Sequence, residues 1–276
     1  MFHKVFLPHP ALKEFVNNIM VFHVTLDASV ERPVMSFPPL PENCLYFYPF
    51  ETPEAEYLTQ NKKVNLSNSI ITGRQVNRIH LKMMHNNLTI KVGFQPGGLY
   101  RLMGVPLNEF SMDESFDSTY MLDKEIAFIT ERLREATAYD QMVSIIESFL
   151  LKKLRHLRSK LPIDSVLPLI IKKGGLVNVD DIAQQSCVSV RQLERQFQQR
   201  IGISPKFFVR LTRFSKAWVM KENNPHLKWT TIAYECGYFD QMHLIRDFKE
   251  FAGVTPSVIE AEFNNSPFLF RNQLYF

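Results

Sequence analysis

The chain has 276 residues, of which 45% are hydrophobic and 22% charged, a composition typical of globular proteins. This length allows two domains with a core in each. Prolines interrupt the first ten residues before a leader-like apolar run forms, and no apolar run approaches the roughly 18 residues that cross a bilayer. Three widely spaced cysteines predict reduced thiols rather than a disulfide framework. The composition thus excludes a low-complexity or membrane-spanning chain and predicts a soluble, cytoplasmic protein.

Charge is distributed unevenly around the net value of +4. Residues 1–151 hold 13 Lys/Arg against 17 Asp/Glu, whereas residues 191–228 hold nine Lys/Arg against two Asp/Glu. The segment 152–160 contains five basic residues and no acidic one. A basic rear half indicates a polyanionic partner, although a solvated basic face would have the same composition.

The front half has the period-two alternation of β-strands. Apolar residues alternate over 78–83 and again over 88–94, with His85-Asn-Asn87 between them, which predicts a β-hairpin with one buried face. Residues 43–48 and 69–72 are further predicted strands.

Two helices are predicted to close this first domain, which we place at residues 1–158. Ile126, Ile129 and Leu133 recur at helical spacing, and so does a second stripe that ends in the basic run 152–160. The second stripe either packs on its own domain or pairs with its copy in another chain. Its members are Val143, Ile146, Leu150, Leu154 and Leu157.

Every predicted element after residue 164 is helical, and one pattern occurs twice. Residues 182–205 contain the first copy and residues 232–256 the second. Each copy has a short helix, a turn, and a second helix with a polar outer face, which describes a helix-turn-helix. The corresponding residues are Ile182, Ala183, Leu193, Arg195, Phe197, Gly202 and Pro205 in the first copy and Ile232, Ala233, Leu244, Arg246, Phe248, Gly253 and Pro256 in the second.

Short polar residues mark where these helices begin. Asp164-Ser165 is a predicted cap for the first helix of this region. Ser189 is a predicted N-cap for the second helix of the first copy, over Val190 to Arg200. In the second copy, Thr230 and Asp240 are predicted to cap the two helices.

The second helix of each copy presents an outer stripe at i, i+3, i+4 and i+7. Met242 and Ile245 are apolar and predict contact with thymine methyl groups. Glu194 either accepts from a cytosine amine or pairs with Arg191 or Gln198 on its own helix. The predicted base-reading residues are Arg191, Glu194, Arg195 and Gln198 in the first copy and Met242, Ile245 and Arg246 in the second, and the predicted phosphate contacts are Arg213, His243 and Lys249.

A predicted helix over 206–222, stopped by Asn223-Asn-Pro225, joins the two copies. The span from residue 205 to residue 222 measures about 27 Å at the standard helical rise. One turn of DNA measures about 34 Å. We therefore predict that one chain places two recognition helices in successive major grooves of double-stranded operator DNA.

Residues 164–262 resemble the DNA-binding domain of the AraC/XylS family of bacterial transcription regulators. The resemblance is carried by Ile232-Ala-x-x-x-Gly237-Tyr-x-Asp240-Gln-x-His243-x-x-Arg246-x-Phe248-Lys249-x-x-x-Gly253-Val-Thr-Pro256 and by Arg213-x-x-x-Ala217 of the joining helix. It implies an all-α domain of two helix-turn-helix units joined by a long helix, with RNA polymerase as a further partner. Residues 263–276 remain as a C-terminal tail.

Shorter segments of the front half resemble the cupin-like sensor domains of some members of the same family. They are His9-Pro10, Val92-Gly-Phe-Gln-Pro-Gly-Gly98 and Gly104-Val-Pro106. The resemblance implies an α+β protein in which an N-terminal cupin-like β-barrel with flanking helices precedes the all-α domain. In such a barrel, Tyr46, Tyr48 and Phe94 either line a cavity for a small-molecule effector or merely fill the interior.

Two alternatives remain open. A cupin-type metal-dependent enzyme fused to a DNA-binding domain needs clustered ligands, and the front half has no H-x-H or H-x-x-x-H pair. Ser-His-Asp, paired-carboxylate and phosphate-binding glycine motifs are absent as well, so no catalytic residue, metal or cofactor is predicted. In the other alternative, the N-terminal domain serves only for homodimerisation. The histidines concerned are His3, His9, His23, His80 and His85.

Overall fold

Strands dominate the N-terminal part of the chain, and helices form all the regular structure described between residues 125 and 266, which confirms the predicted α+β class. No described helix is long and apolar enough to cross a membrane. The predicted C-terminal tail comprises residues 263–276, and its residues 267–276 lie outside the described part of the chain. The computed structural model describes residues 1–73, 75–110, 113–122 and 125–266.

The described strands form two antiparallel sheets. They are β1 (Phe2–Phe6), β2 (Val16–Thr25), β3 (Val34–Phe37), β4 (Asn43–Phe47), β5 (Glu54–Tyr57), β6 (Lys62–Asn65), β7 (Ser69–Thr72), β8 (Ile79–Lys82), β9 (Asn86–Phe94) and β10 (Ser115–Asp117). A six-stranded sheet has the order β1-β2-β9-β4-β7-β10, and a four-stranded sheet has the order β3-β8-β5-β6. The two sheets share no strand pair among the described residues, so the predicted barrel consists of two separate sheets.

Helices cover one face of the six-stranded sheet and build the C-terminal part. They are α1 (Gly98–Met103), α2 (Glu125–Glu135), α3 (Tyr139–Lys153), α4 (Ile163–Lys172), α5 (Val179–Gln185), α6 (Val190–Arg200), α7 (Pro205–Asn223), α8 (Trp229–Glu235), α9 (Gln241–Ala252) and α10 (Pro256–Asn264). Short 3₁₀ helices lie at Pro10–Leu12, Leu107–Glu109, Ser118–Tyr120 and Leu154–His156.

The predicted β-hairpin is wrong, because its two strands lie in different sheets. β8 pairs with β3 and β5, whereas β9 pairs with β2 and β4. The ten-residue β2 covers one edge of β9 along nearly its whole length, and β4 covers part of the other. Residues 83–85 cross between the sheets, and Met83 is buried there beside Met20 and Phe22.

The stripe predicted on the second helix belongs to the core of its own domain. Val143, Ile146 and Leu150 of α3 are each less than a tenth exposed and share a core with the strands of the larger sheet. Leu157 lies beyond the helix and is 39% exposed. A dimer interface through this stripe would require these buried side chains, so the stripe favours packing within the chain.

The C-terminal helices enclose a second core, to which Val76 of the N-terminal part also contributes. The predicted cap of α4 at Asp164-Ser165 is wrong, since Pro162 occupies the N-cap position. Asp164 lies in the first turn instead, where its carboxylate accepts a hydrogen bond from the Leu161 N–H at 2.8 Å. The 19 residues of α7 span about 28 Å at the standard rise.

Candidate nucleic-acid interface

The first recognition helix, α6, begins at the predicted Ser189 cap. Ser189 Oγ accepts from the Gln192 N–H at 3.2 Å, and the Gln192 side chain accepts from the Ser189 N–H at 3.3 Å. This capping box satisfies backbone donors that a helix start otherwise leaves unpaired. Leu193 and Phe197 are fully buried on the inner face. The predicted outer stripe is exposed at all its positions, which are Arg191, Glu194, Arg195 and Gln198.

The second helix-turn-helix begins earlier than predicted. Lys228 is the N-cap of α8 and makes no side-chain cap bond, so the predicted Thr230 cap is wrong. Trp229 is the first residue of the helix and is buried in the core of the C-terminal helices. Asp240 caps α9 as predicted, because its Oδ1 accepts from the His243 N–H at 2.7 Å.

The outer stripe of α9 is less polar than that of α6. Met242 is 58% exposed and Ile245 is half-buried, whereas Arg246 and Lys249 are exposed. Phe239, which the helical pattern did not single out, is 93% exposed. Its position directly before the capping Asp240 is the feature of the sequence that could have identified this exposed aromatic residue. The second recognition helix therefore presents an apolar start and a cationic end.

Two of the three predicted phosphate contacts lie at one packed junction. The Arg213 guanidinium lies 5.4 Å over the Tyr238 ring, and its Nη2 donates to the Gly175 carbonyl at 3.5 Å. The His243 ring packs edge-on against the same tyrosine at 5.3 Å. Both side chains are half-buried, whereas Lys249 is exposed. Arg213 thus belongs to the packing around α7, in contrast to the phosphate-facing position expected of it.

We expect Arg213→Ala to destabilise the fold by about 1 kcal/mol, because it removes a cation–π contact of modest strength. The salt dependence of DNA binding should stay the same, since a lost phosphate contact would flatten the slope by about one unit. Melting temperature and a salt titration of binding measure both effects. Lys172→Ala, an exposed cation on α4, controls for the lost charge. A flatter slope at an unchanged melting temperature would restore the phosphate role.

Buried contacts fix the orientation of α9 on α7. Arg210 of α7 donates to Asp247 at 2.6 Å and to Glu250 at 2.5 Å, and Asp247 is 1% exposed. Phe214 of α7 packs edge-on against Phe248 of α9, with ring centroids 4.7 Å apart. The orientation of α9 on α7 is therefore fixed by contacts within the protein.

The C-terminal end of α6 is held to the N-terminal part of the chain. The buried Arg200 guanidinium bonds the Asp164 carboxylate, donates to the Ser159 carbonyl at 2.8 Å and lies 5.0 Å over the Tyr100 ring. Gln199 donates to the Tyr100 hydroxyl at 3.0 Å. We call Tyr100, Asp164, Gln199 and Arg200 the α6 clasp. In the sequence, Arg200 is one charge in a basic segment, and nothing local marks it as buried.

A cavity of about 130 Å³ lies between the two sheets. Tyr46 and Tyr48 line it, with parallel rings whose centroids are 6.2 Å apart. Phe94 does not line it, which corrects the prediction for this residue. Side chains alternate along β9, so Phe94 faces the helix-covered core, whereas Thr89 and Lys91 face the cavity.

One ion pair is buried in the wall of this cavity. Lys91 Nζ lies 2.5 Å from Glu42 Oε2, and both side chains are about a tenth exposed. Burial alone would lower the pKa of Lys91, but the contact with the Glu42 carboxylate outweighs it and raises that pKa. Burial raises the pKa of the Cys44 thiol to about 12. At neutral pH, Lys91 is therefore charged and lies beside a neutral thiol.

The front-half histidines have protein partners rather than a common centre. His23 bonds the Tyr139 hydroxyl at 2.9 Å and the Asn86 side chain at 3.0 Å, and His80 lies 3.6 Å from Glu56. Within the described ranges, no group of three or more His, Cys, Asp or Glu side chains is placed to hold a metal ion. These described residues therefore provide no set of metal ligands that would support the metal-enzyme alternative.

Comparison with known proteins identifies a matching domain and several proteins of similar sequence. A helix-turn-helix domain model matches residues 182–262. The Msm operon regulatory protein of Streptococcus mutans is 26% identical over 141 residues, which are 50% of each chain. The transcriptional activator RhaS of Escherichia coli is 33% identical over 91 residues, or 33% of this chain and 28% of RhaS. The chain thus spans half the length, or less, of these curated relatives.

Two solved structures are also similar. ToxT of Vibrio cholerae aligns with 92% of this chain and 99% of its own, at 12% identity and a TM-score of 0.48. The DNA-binding domain of AdpA in complex with a target DNA aligns with 38% of this chain and 95% of its own, at 19% identity and a TM-score of 0.35. The helix-turn-helix match and the sequence relatives show that residues 182–262 form a helix-turn-helix domain similar to those of transcription regulators.

Proposed function

We propose that the chain is a sequence-specific DNA-binding regulator that reads two successive major grooves with α6 and α9. The observation that carries the proposal is a matched pair of helices, each ending a helix-turn-helix, each with an exposed outer stripe, joined by the 19-residue α7. The length of α7, about 28 Å, is close to the 34 Å or so between successive grooves on one face of DNA. RNA polymerase is the further partner that the resemblance to AraC/XylS regulators implies.

The stripe of α6 suits polar base edges. Arg195 and Arg246 occupy equivalent positions on the two recognition helices, and each guanidinium can bond guanine O6 and N7. Glu194 can accept from a cytosine amine. No hydrogen bond or ion pair among the described residues joins Glu194 to Arg191 or Gln198, so pairing on the helix has no support.

The stripe of α9 suits thymine-rich edges and the DNA backbone. Met242 and Ile245 contact thymine methyl groups, and the exposed ring of Phe239 extends this apolar surface. Lys249 bonds a phosphate, with His243 beside the same groove edge. Discrimination by α9 thus depends on shape and methyl contacts more than on hydrogen bonds.

In vitro selection from a random DNA pool tests the reading of two grooves. We expect a bipartite site whose half-site centres lie about one helical turn apart. The double variant Arg195→Ala, Arg246→Ala is the control and should enrich no such site. A single short site, or no enrichment by the unmodified protein, would contradict the proposal.

We infer that residues 1–158 form a sensor domain and residues 164–262 the DNA-binding domain. The hydrophobic clusters support this division, because three lie before the boundary and the fourth lies after it apart from Val76. The cavity between the sheets offers a place for a small-molecule effector. The α6 clasp and the Arg78–Glu262 ion pair join the two domains, so a change in the first can reach α6.

Tyr100→Ala is expected to change operator affinity several-fold, because it removes the ring and hydroxyl that hold α6 to the sensor domain. Tyr120→Ala, which removes an equally large ring that is 88% exposed, should leave affinity unchanged. A mobility-shift titration at fixed salt measures both. Equal affinities for the two variants and the unmodified protein would leave the coupling of the domains without support.

Homodimerisation through the α3 stripe is less favoured, because most of that stripe is buried in its own core. Leu157→Asp changes the stripe residue that stays exposed, so it tests the remaining surface without disturbing the core. A lower mass in light scattering would support a dimer that uses this end of the stripe. Stoichiometric metal in the purified protein would revive the enzyme alternative.

A further inference from the structure

The cavity between the two sheets has one polar wall. Asn87, Thr89 and Lys91 of β9 face it in a row, and they are 0%, 8% and 7% exposed. The opposite face of the same strand is apolar. A strand that is buried on both faces is ordinarily apolar on both, so packing alone does not account for this row.

Two of these three polar side chains are satisfied within the protein. Lys91 pairs with Glu42 at 2.5 Å, and Thr89 Oγ1 accepts from Asn87 Nδ2 at 3.0 Å. Among the described residues, no group donates to Asn87 Oδ1, although the side chain is fully buried. A buried acceptor without a donor is unfavourable. A ligand that brought a donor to this oxygen would remove that cost.

The rest of the wall indicates the remaining properties of such a ligand. Lys91 and Glu42 neutralise each other, so this pair offers little net charge to an ionic ligand. Tyr46 and Tyr48 present parallel rings, and Phe22 adds a third ring. A cavity of similar volume in another protein holds one benzene molecule. The wall therefore suits one flat, neutral ring.

We propose that this cavity binds an uncharged single-ring molecule that donates a hydrogen bond to Asn87 Oδ1, with a phenol as the simplest example. The inference rests on the sensor function proposed above. It narrows the effector from any small apolar molecule to a neutral hydrogen-bond donor of about one ring.

Calorimetric titration of the full-length protein with probes of matched shape tests the proposal. We expect 4-ethylphenol to bind about tenfold more tightly than ethylbenzene, because one hydrogen bond to a buried, otherwise unmet acceptor is gained. The probe 4-ethylanisole keeps the oxygen without its proton and should bind no better than ethylbenzene. The anion 4-ethylbenzoate should bind more weakly than 4-ethylphenol.

Two variants test whether the preference for 4-ethylphenol over ethylbenzene depends on Asn87 Oδ1. Asn87→Leu should abolish this preference, so that 4-ethylphenol and ethylbenzene bind with about equal affinity. Asn65→Leu makes the same change at an exposed strand position and should keep the preference. Asn87→Ser, which fills less of the cavity, replaces the leucine variant if that variant does not fold.

The outcomes separate this inference from the sensor function. If no probe binds, this inference is overturned, whereas the sensor function is tested separately by the operator affinity of Tyr100→Ala. If ethylbenzene or 4-ethylanisole binds as well as 4-ethylphenol, or 4-ethylbenzoate binds best, the sensor function stands and the donor to Asn87 is overturned. If Asn87→Leu keeps the preference for 4-ethylphenol, the proposed hydrogen bond to Asn87 Oδ1 is also overturned.

Discussion

Arg195→Ala should erase more sequence discrimination than Arg246→Ala. Both arginines are exposed at equivalent positions, and the loss of a bidentate guanine contact costs about 1–3 kcal/mol. The two arginines differ in their neighbours. Arg195 lies between Arg191 and Gln198, so its loss disrupts a set of three polar side chains that read base edges together. Arg246 lies beside Met242, an apolar side chain that is 58% exposed and contributes little hydrogen-bonding discrimination. Base discrimination should therefore depend more on the first recognition helix.

A competition assay against single-base substitutions of the operator, at fixed salt, measures this difference. Each variant should relax base preference in one half-site. Arg155→Ala removes an equal charge from an exposed site outside both helix-turn-helix units and should leave preference intact. Equal losses for Arg195→Ala and Arg246→Ala, or an even effect on both half-sites, would contradict the assignment of the stripes to separate grooves.

Local pattern was sufficient for most of the DNA-binding half. The Ser189 and Asp240 caps bond backbone groups three residues away, and the stripes of α6 and α9 follow from helical period alone. The two wrong caps share one feature. α4 begins after Pro162 and α8 after Lys228, and neither N-cap side chain makes a cap bond, so no capping pattern marks these starts in the sequence.

Strand partners and buried charges depend on contacts that no local pattern contains. Alternation located β8 and β9, yet adjacency in the chain suggested a hairpin where each strand has other partners. The same alternation could not say which face of β9 would meet a cavity, so Phe94 was assigned to the wrong side. Arg200 is buried because Asp164, 36 residues away, meets it inside the fold.

Arg200→Ala should destabilise the protein by roughly 3–5 kcal/mol, because it leaves the Asp164 carboxylate buried without its main partner. Both side chains of the pair are 4% exposed. Arg101 Nε lies 4.0 Å from the same carboxylate oxygen and compensates in part, which favours the lower end of that range. Arg195→Ala, at an exposed position of the same helix, should change stability by less than about 0.5 kcal/mol.

Removing both charges should cost much less than removing one. Arg200 Nε and Asp164 Oδ1 have no hydrogen-bond partner among the described residues, so the native pair is incompletely satisfied. Apolar replacement of such a pair is often neutral, and we expect Arg200→Met, Asp164→Leu to recover most of the stability that Arg200→Ala loses. Urea unfolding with a constant slope measures all three variants. If Arg200→Ala unfolds at the same urea concentration as Arg195→Ala, the buried pair does not hold α6 in place, and the proposed coupling of α6 to residues 1–158 through the α6 clasp is contradicted.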